Sequence, residues 1–208
     1  MHQSFLKRSI ICSFSLLTLL LFSCDDSPSE EIKEVLSAEK CNFDGIKTGD
    51  IVLKRGNGRI SKLIINYFKE KIPLSHSGII ICSPDSTYVI HSVSGSYARK
   101  DGVQTILLKE LLNDCMPNYF YIVRKKTSNE NNQAFASKAI AYSNQTIPFD
   151  DQADNADKTK MSCTELIYWC QMETYGKSDL TSIKTAGKEV FVFNGMLDST
   201  KYDIIKHY

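Results

Sequence analysis

The chain has 208 residues, 42% of them hydrophobic and 24% charged, which is enough apolar material for one ordinary globular core and makes a single domain the default. Its formal net charge is +1, and the basic residues are scattered along the sequence rather than gathered into a stripe. That excludes the electrostatic footprint of a nucleic-acid partner.

The first 24 residues, MHQSFLKRSIICSFSLLTLLLFSC, place Lys7 and Arg8 ahead of an uncharged, leucine-rich run from Ser9 to Ser23. This is the pattern of an export signal, and it is too short for a spanning helix, which needs ~20 apolar residues. Its end, Leu21-Phe22-Ser23-Cys24, resembles a bacterial lipobox, with Phe22 departing from the usual small residue. The expectation is a lipid on Cys24; the alternative is ordinary cleavage near Ser23 with Cys24 incidental. Residues 25–40 are acidic and serine-rich and read as a tether, with a weak likeness to an acidic surface-export signal. The expected organisation is a signal peptide over 1–23, a lipidated tether over 24–44 and a folded domain over 45–208. Such a chain is exported and held by Cys24 at a membrane of the bacterial envelope, facing the periplasm or the cell surface.

A turn at Gly49-Asp50 leads into a short strand, Ile51 to Lys54, and a glycine-broken loop. Ile60, Leu63, Ile64, Tyr67 and Phe68 keep the spacing of a helix with one buried face, which Pro73 closes. His76 to Cys82 reads as a buried strand, Pro84-Asp85-Ser86 as a turn and Thr87 to Val93 as the return strand of a hairpin. Residues 105–114 have a helical period, 119–124 form a strand, and 130–143 form a helix with Phe135, Ala139 and Tyr142 inward. A polar loop over 145–161 precedes a helix beginning at Ser162, and the tail from Val190 adds one short strand and a solvated end. The assembly expected is α+β, a small antiparallel sheet packed against helices.

Seven cysteines stand at 12, 24, 41, 82, 115, 163 and 170. With the signal removed and Cys24 acylated, five remain, so one free thiol is expected in an oxidising compartment. Cys163 and Cys170 lie seven residues apart, roughly 10 Å along a helix, too far to bridge.

Ser162-Cys163-Thr164-Glu165 matches the S-x-x-E capping box and makes Cys163 the first residue of its helix. Unpaired N–H groups and the helix dipole there favour a thiolate, with a pKa expected well below ~8.5, and can hold an oxyanion. A thiol nucleophile needs a base and the base an orienting group. His2 is cut away with the signal and His207 is two residues from the end, which leaves His76 and His91 as cross-strand neighbours on one hairpin. Each alone fits a satisfied core histidine. With Cys163 they also make a possible zinc set lacking a fourth ligand. Asp150, Asp151, Asp154 and Asp157 lack calcium-loop spacing, Gly56-Asn57-Gly58 precedes no P-loop lysine, Asp50 suits a turn cap and Glu165 a helix cap.

In this order, Gly49-Asp50-Ile-Val-Leu, Arg55-Gly-Asn-Gly, Ser75-His76-Ser-Gly-Ile, Val89-Ile-His91, Ile147-Pro-Phe-Asp150 and Ser162-Cys163-Thr-Glu165-Leu resemble the permuted papain-like amidases of the YiiX and YaeF type. These are relatives of the NlpC peptidases in which the histidine precedes the cysteine. The resemblance covers roughly residues 46–175. It implies a circularly permuted papain-like fold, Cys163 as nucleophile, His76 as general base and His91 as the polar third member, with neither cofactor nor metal. The implied substrate is a small peptide of the cell wall or an acyl-amino compound. A lipid acyl hydrolase or acyltransferase in the manner of the lecithin retinol acyltransferase group is the rival enzyme, and a binding lipoprotein without turnover is the rival non-enzyme. Two departures matter: His91 stands where many members carry a glutamate, and Phe149 stands where a tyrosine is commoner, so oxyanion donation would rest on the Cys163 backbone. Oligomeric state is not legible.

Overall fold

Strands form here because Val, Ile and Leu alternate between two faces that are both covered. A computed structural model describes residues 44–153, 157–185 and 187–208; the expected signal peptide, Cys24 and the tether to residue 43, together with Asp154, lie outside the described residues. Along the chain run β1 (Ile51–Gly56), α1 (Arg59–Phe68), β2 (His76–Cys82), β3 (Thr87–Val93), β4 (Gly102–Leu107), α2 (Leu108–Leu112), β5 (Cys115–Lys125), α3 (Asn129–Ser143) and α4 (Cys163–Tyr175). A hairpin of β6 (Ser182–Thr185) and β7 (Lys188–Phe191), a 3-10 turn (Asn194–Leu197) and β8 (Tyr202–His207) follow.

Six strands make one sheet in the order β4-β3-β2-β1-β5-β8, every adjacent pair antiparallel. Side chains alternate across it. Ile51, Leu53, Ile79, Ile81, Ile90 and Val123 point to α3 and α4, meeting Phe135, Ala139, Leu166 and Ile167. Val52, Ile80, Val89, Phe120 and Ile122 point to the other face, which α2 covers with Leu108 and Leu111. The α+β architecture expected from the sequence is the one found.

Several local expectations are corrected. α1 has no fully buried residue: Ile64 and Phe68 meet the core, whereas Leu63 is 61% and Tyr67 47% exposed. Its apolar stripe is wider than the surface it rests on. Residues 105–114 are half strand, because Thr105, Ile106 and Leu107 pair with Ile90, Val89 and Tyr88 of β3, and the helix shrinks to the five residues of α2. The tail is more than a solvated end: Tyr202 is buried and β8 completes the sheet beside β5, while Ile204 and Tyr208 stay exposed. Cys115, Cys163 and Cys170 are all free, and Cys82 is disulfide-bonded to a partner outside the described residues, so one leftover thiol undercounts them.

Asp50 caps the turn before β1, accepting the Lys47 N–H at 2.8 Å. It also pairs in fork geometry with Arg124 of β5, Nε to Oδ1 at 2.7 Å and Nη2 to Oδ2 at 2.8 Å, and Arg124 continues to the Gly45 carbonyl at 2.7 Å. Burial pushes the Asp50 carboxyl up, and Arg124 and the Lys47 N–H draw it back. Removing one partner strands a buried charge. Arg124→Met is expected to lower the unfolding free energy by about 3–5 kcal/mol in urea melts, and Asp50→Asn added to it is expected to recover part of that loss; a single variant as stable as the parent would contradict this.

Candidate active site

Ser162 caps α4: its hydroxyl accepts the Glu165 N–H at 3.3 Å, and its own N–H donates to Glu165 Oε2 at 2.7 Å. The capping box is present, Glu165 serves as a cap, and Cys163 opens the helix as expected. Where that helix end sits is decided by a gap in the sheet. β2 and β3 pair from Cys82↔Thr87 to Ile79↔Ile90, and the ladder stops short of Ser77 and Ser92. There Ser77 Oγ donates to the Cys163 carbonyl at 3.2 Å and Ser92 Oγ to the Met161 carbonyl at 2.5 Å. Two serines from adjacent strands thus seat the residues flanking Ser162.

His76 begins β2 immediately before Ser77. Its Nε2 lies 2.7 Å from His91 Nδ1, the rings edge-on at 87°. The two are diagonal neighbours rather than directly opposite. In the β2–β3 register Gly78 stands across from His91, and a Cβ there would approach Val89 Cγ1 to 2.4 Å and His91 Cβ to 3.3 Å. Glycine at 78 leaves His91 the room to lean toward His76.

Burial dominates the electrostatics. His91 is brought down to about 4 by burial and then by the Lys54 ammonium. His76 is held well below 6.5 by burial, His91 and Lys54. The Cys163 thiol is pushed up by burial and by the Glu165 carboxylate, although the Ser77 N–H, the Ser77 hydroxyl and the Thr164 N–H beside it pull the other way. The thiolate expected at the helix end is therefore not the resting form, because desolvation outweighs the helix terminus. At rest Cys163 is a protonated thiol and His76 and His91 are neutral imidazoles, with no hydrogen bond between the thiol and either ring among the described residues.

Lys54 was not singled out from sequence. It is the Cα partner of His76, is buried, and donates to the Leu111 carbonyl at 2.6 Å and to Asp114. A lysine in an otherwise apolar strand was the available signal, but its pairing with His76 depends on a register that the strand alone does not declare.

The remaining candidates sit elsewhere in role. The Phe149 N–H donates to Asp101 Oδ2 at 3.1 Å, Asp150 is buried and accepts the Gln152 N–H at 2.9 Å, and Gly56-Asn57-Gly58 makes the turn from β1 into α1. The His76 and His91 nitrogens that face one another share a 2.7 Å hydrogen bond. Among the described residues no group of three or more His, Cys, Asp or Glu is placed to hold a metal ion.

Because His91 titrates lower folded than unfolded, the unfolded chain binds its proton first as pH falls. Stability from this group is whole above about 6.5 and drains away toward about 4, a loss near 3 kcal/mol. His91→Gln is expected to flatten the decline of stability between those pH values in urea melts; an unchanged slope would sink the assignment.

The match to known proteins agrees with this architecture. A solved structure described as the metalloprotein YiiX from Escherichia coli O157:H7 superposes with a TM-score of 0.63 at 17% identity, covering 77% of this chain and 97% of that one. No curated relative matches the chain. The family model of the permuted papain-like amidases, YaeF/YiiX, C92 family, matches residues 45–195. With a six-stranded antiparallel sheet, a cysteine at a helix terminus and that match over most of its length, the chain belongs to the permuted papain-like amidase family.

Proposed function

We propose that this chain is a cysteine-dependent hydrolase of amide bonds in small cell-wall peptides or acyl-amino compounds, with Cys163 as nucleophile, His76 as base and His91 as the group that orients it. The observation that carries the reading is the 2.7 Å His76–His91 bond at the strand end where Ser77 grips Cys163.

The base must offer a lone pair. With His76 Nε2–H donating to His91 Nδ1, His76 Nδ1 is free to accept a proton, and His91, at about 4, stays a neutral acceptor. Since the resting thiol is protonated, attack and proton transfer are coupled. Sγ bonds to the acyl carbon as its proton passes to His76 Nδ1, and the new oxyanion meets the N–H groups at the start of α4. The imidazolium strengthens its bond to His91, then gives its proton to the departing amine as the C–N bond breaks. Water attacks the thioester, its proton going to His76; the C–S bond breaks and the proton returns to sulfur.

Export and a lipid on Cys24 belong to the same proposal. The disulfide at Cys82 supports an oxidising compartment. Chemistry on a lipid ester is the second reading, favoured by the exposed Leu63 and Tyr67 on α1.

Cys163→Ala is expected to abolish release of amine from an acyl-peptide panel, and His76→Ala to cut kcat at least ~10³-fold, with unchanged melting for both. His91→Asn, which keeps an acceptor, is expected to retain more activity than His91→Phe; equal loss would deny His91 an orienting role. Lipid esters turned over faster than peptides would favour the second reading. Alkylation of Cys163 by iodoacetamide is expected to accelerate only toward alkaline pH, in keeping with its raised pKa; fast labelling below neutral would contradict the protonated resting thiol.

A further inference from the structure

Five large apolar side chains are exposed among the described residues: Leu63, Tyr67, Tyr97, Ile204 and Tyr208. The first three share one end of the sheet. β1 ends there beside the start of β2, since Lys54 pairs with His76, and α1 follows directly. β3 ends there too, and the connection over 94–101 carries Tyr97, 62% exposed. The amino terminus of α4 is seated at the same end by Ser77 and Ser92.

The same two segments are basic. Around α1 stand Arg55, Arg59, Lys62, Lys69 and Lys71 against Glu70 alone, and the β3–β4 connection adds Arg99 and Lys100 against Asp101. Among the described residues neither acid forms an ion pair with them. Glu70 accepts the N–H groups of Phe193 and Asn194, at 2.9 and 2.5 Å, and Asp101 accepts those of Gly95 and Phe149, at 2.5 and 3.1 Å. Among the described residues, Arg59, Lys62, Lys69 and Lys71 form no ion pair. Basic residues scattered in sequence are thus gathered by the fold onto one rim, where Leu63 and Tyr67, one helical turn apart, project between them.

We propose that this rim docks on an anionic phospholipid bilayer, with Leu63, Tyr67 and Tyr97 at the boundary between headgroups and acyl chains and the flanking cations on lipid phosphates. A short helix with apolar residues along its exposed crest, Arg59 and Lys62 beside that crest and further cations just beyond its ends has a composition that can lie in a membrane interface, and tyrosine suits that depth. A phosphate backbone would use the cations but leave the apolar crest in water. An acidic protein would have to desolvate its carboxylates against Leu63 and Tyr67. α1 is suited to the task by its shallow seat, held to the core through Ile64 and Phe68 only. On the functional reading above, docking turns the His76 end of the sheet toward the bilayer, so that substrates carrying an acyl chain reach Cys163 from the lipid side. Docking itself does not depend on the thiol.

The test is hydrogen–deuterium exchange of the full-length chain reconstituted with vesicles of phosphatidylcholine alone or mixed equally with phosphatidylglycerol. Peptides spanning 59–68 are expected to exchange at least about three-fold more slowly on the mixed vesicles. Leu63→Ser with Tyr67→Ser, and separately Arg59→Gln with Lys62→Gln, are expected to erase that difference, while α3 exchanges equally in every variant as a check on folding. Cys163→Ala is expected to keep the full protection, so loss of the hydrolase reading leaves docking standing, and loss of docking leaves amide hydrolysis standing. Equal exchange on both vesicles overturns the proposal. So does equal or stronger protection of 59–68 by a short DNA duplex or by polyglutamate in the absence of vesicles.

Discussion

The first residues of α4 are held where β2 and β3 part, with Ser77 on the Cys163 carbonyl and Ser92 on the Met161 carbonyl. Were the ladder to continue past Ile79↔Ile90, the backbone groups of Ser77 would belong to β3, and the helix end would have nothing to bind. Because the strands part, the Ser77 N–H turns to the Cys163 sulfur instead. One local failure of strand pairing therefore sets the height of the helix and the position of the thiol. The core holds this arrangement from behind: Leu166, Ile167 and Cys170 of α4 bury against Ile79, Ile81 and Ile90.

Lys54 acts on the same end of the sheet through its charge. Its ammonium is fixed by the Leu111 carbonyl and Asp114, and its proximity adds to burial in keeping both imidazoles neutral. If His76 is the base, as proposed, it is useful only while unprotonated, and a fixed cation across the strand would keep it so as the medium turns acidic. In the proposed mechanism the same cation would oppose the His76 imidazolium, and the His76–His91 bond, which strengthens as His76 becomes charged, would offset that.

The parts of this site carried by local pattern were legible from residues alone. Ser162 and Glu165 announce a helix start by spacing, and His76 and His91 fall on two strands joined by a turn at Pro84-Asp85-Ser86. What depended on partners was not. Residues 105–107 have a helical period but are taken by β3, and Tyr202 to His207 look solvated until β5 offers them an edge. α1 kept its helix but not its burial, because a stripe of five apolar positions says nothing about how wide a surface awaits it. The thiol's protonation was misjudged for the same reason. The helix terminus is visible in sequence, whereas the desolvation that outweighs it is a property of the packed site.

That misjudged balance has a chemical consequence. A thiolate standing at a helix end is the form most readily oxidised. Cys163 avoids that exposure by being buried and protonated until a proton acceptor and an acyl carbon are both in reach. The disulfide at Cys82, at the far end of β2, shows that oxidation is compatible with this fold, and Cys170, about two turns further along α4, is fully buried with its thiol held well above its ordinary value. In the proposed mechanism, reactivity at Cys163 is then conditional on proton transfer rather than built into the resting charge, so His76 would serve to form the nucleophile as well as to release the leaving group. An ion-pair site would lose only the second of these with its imidazole; a neutral site loses both.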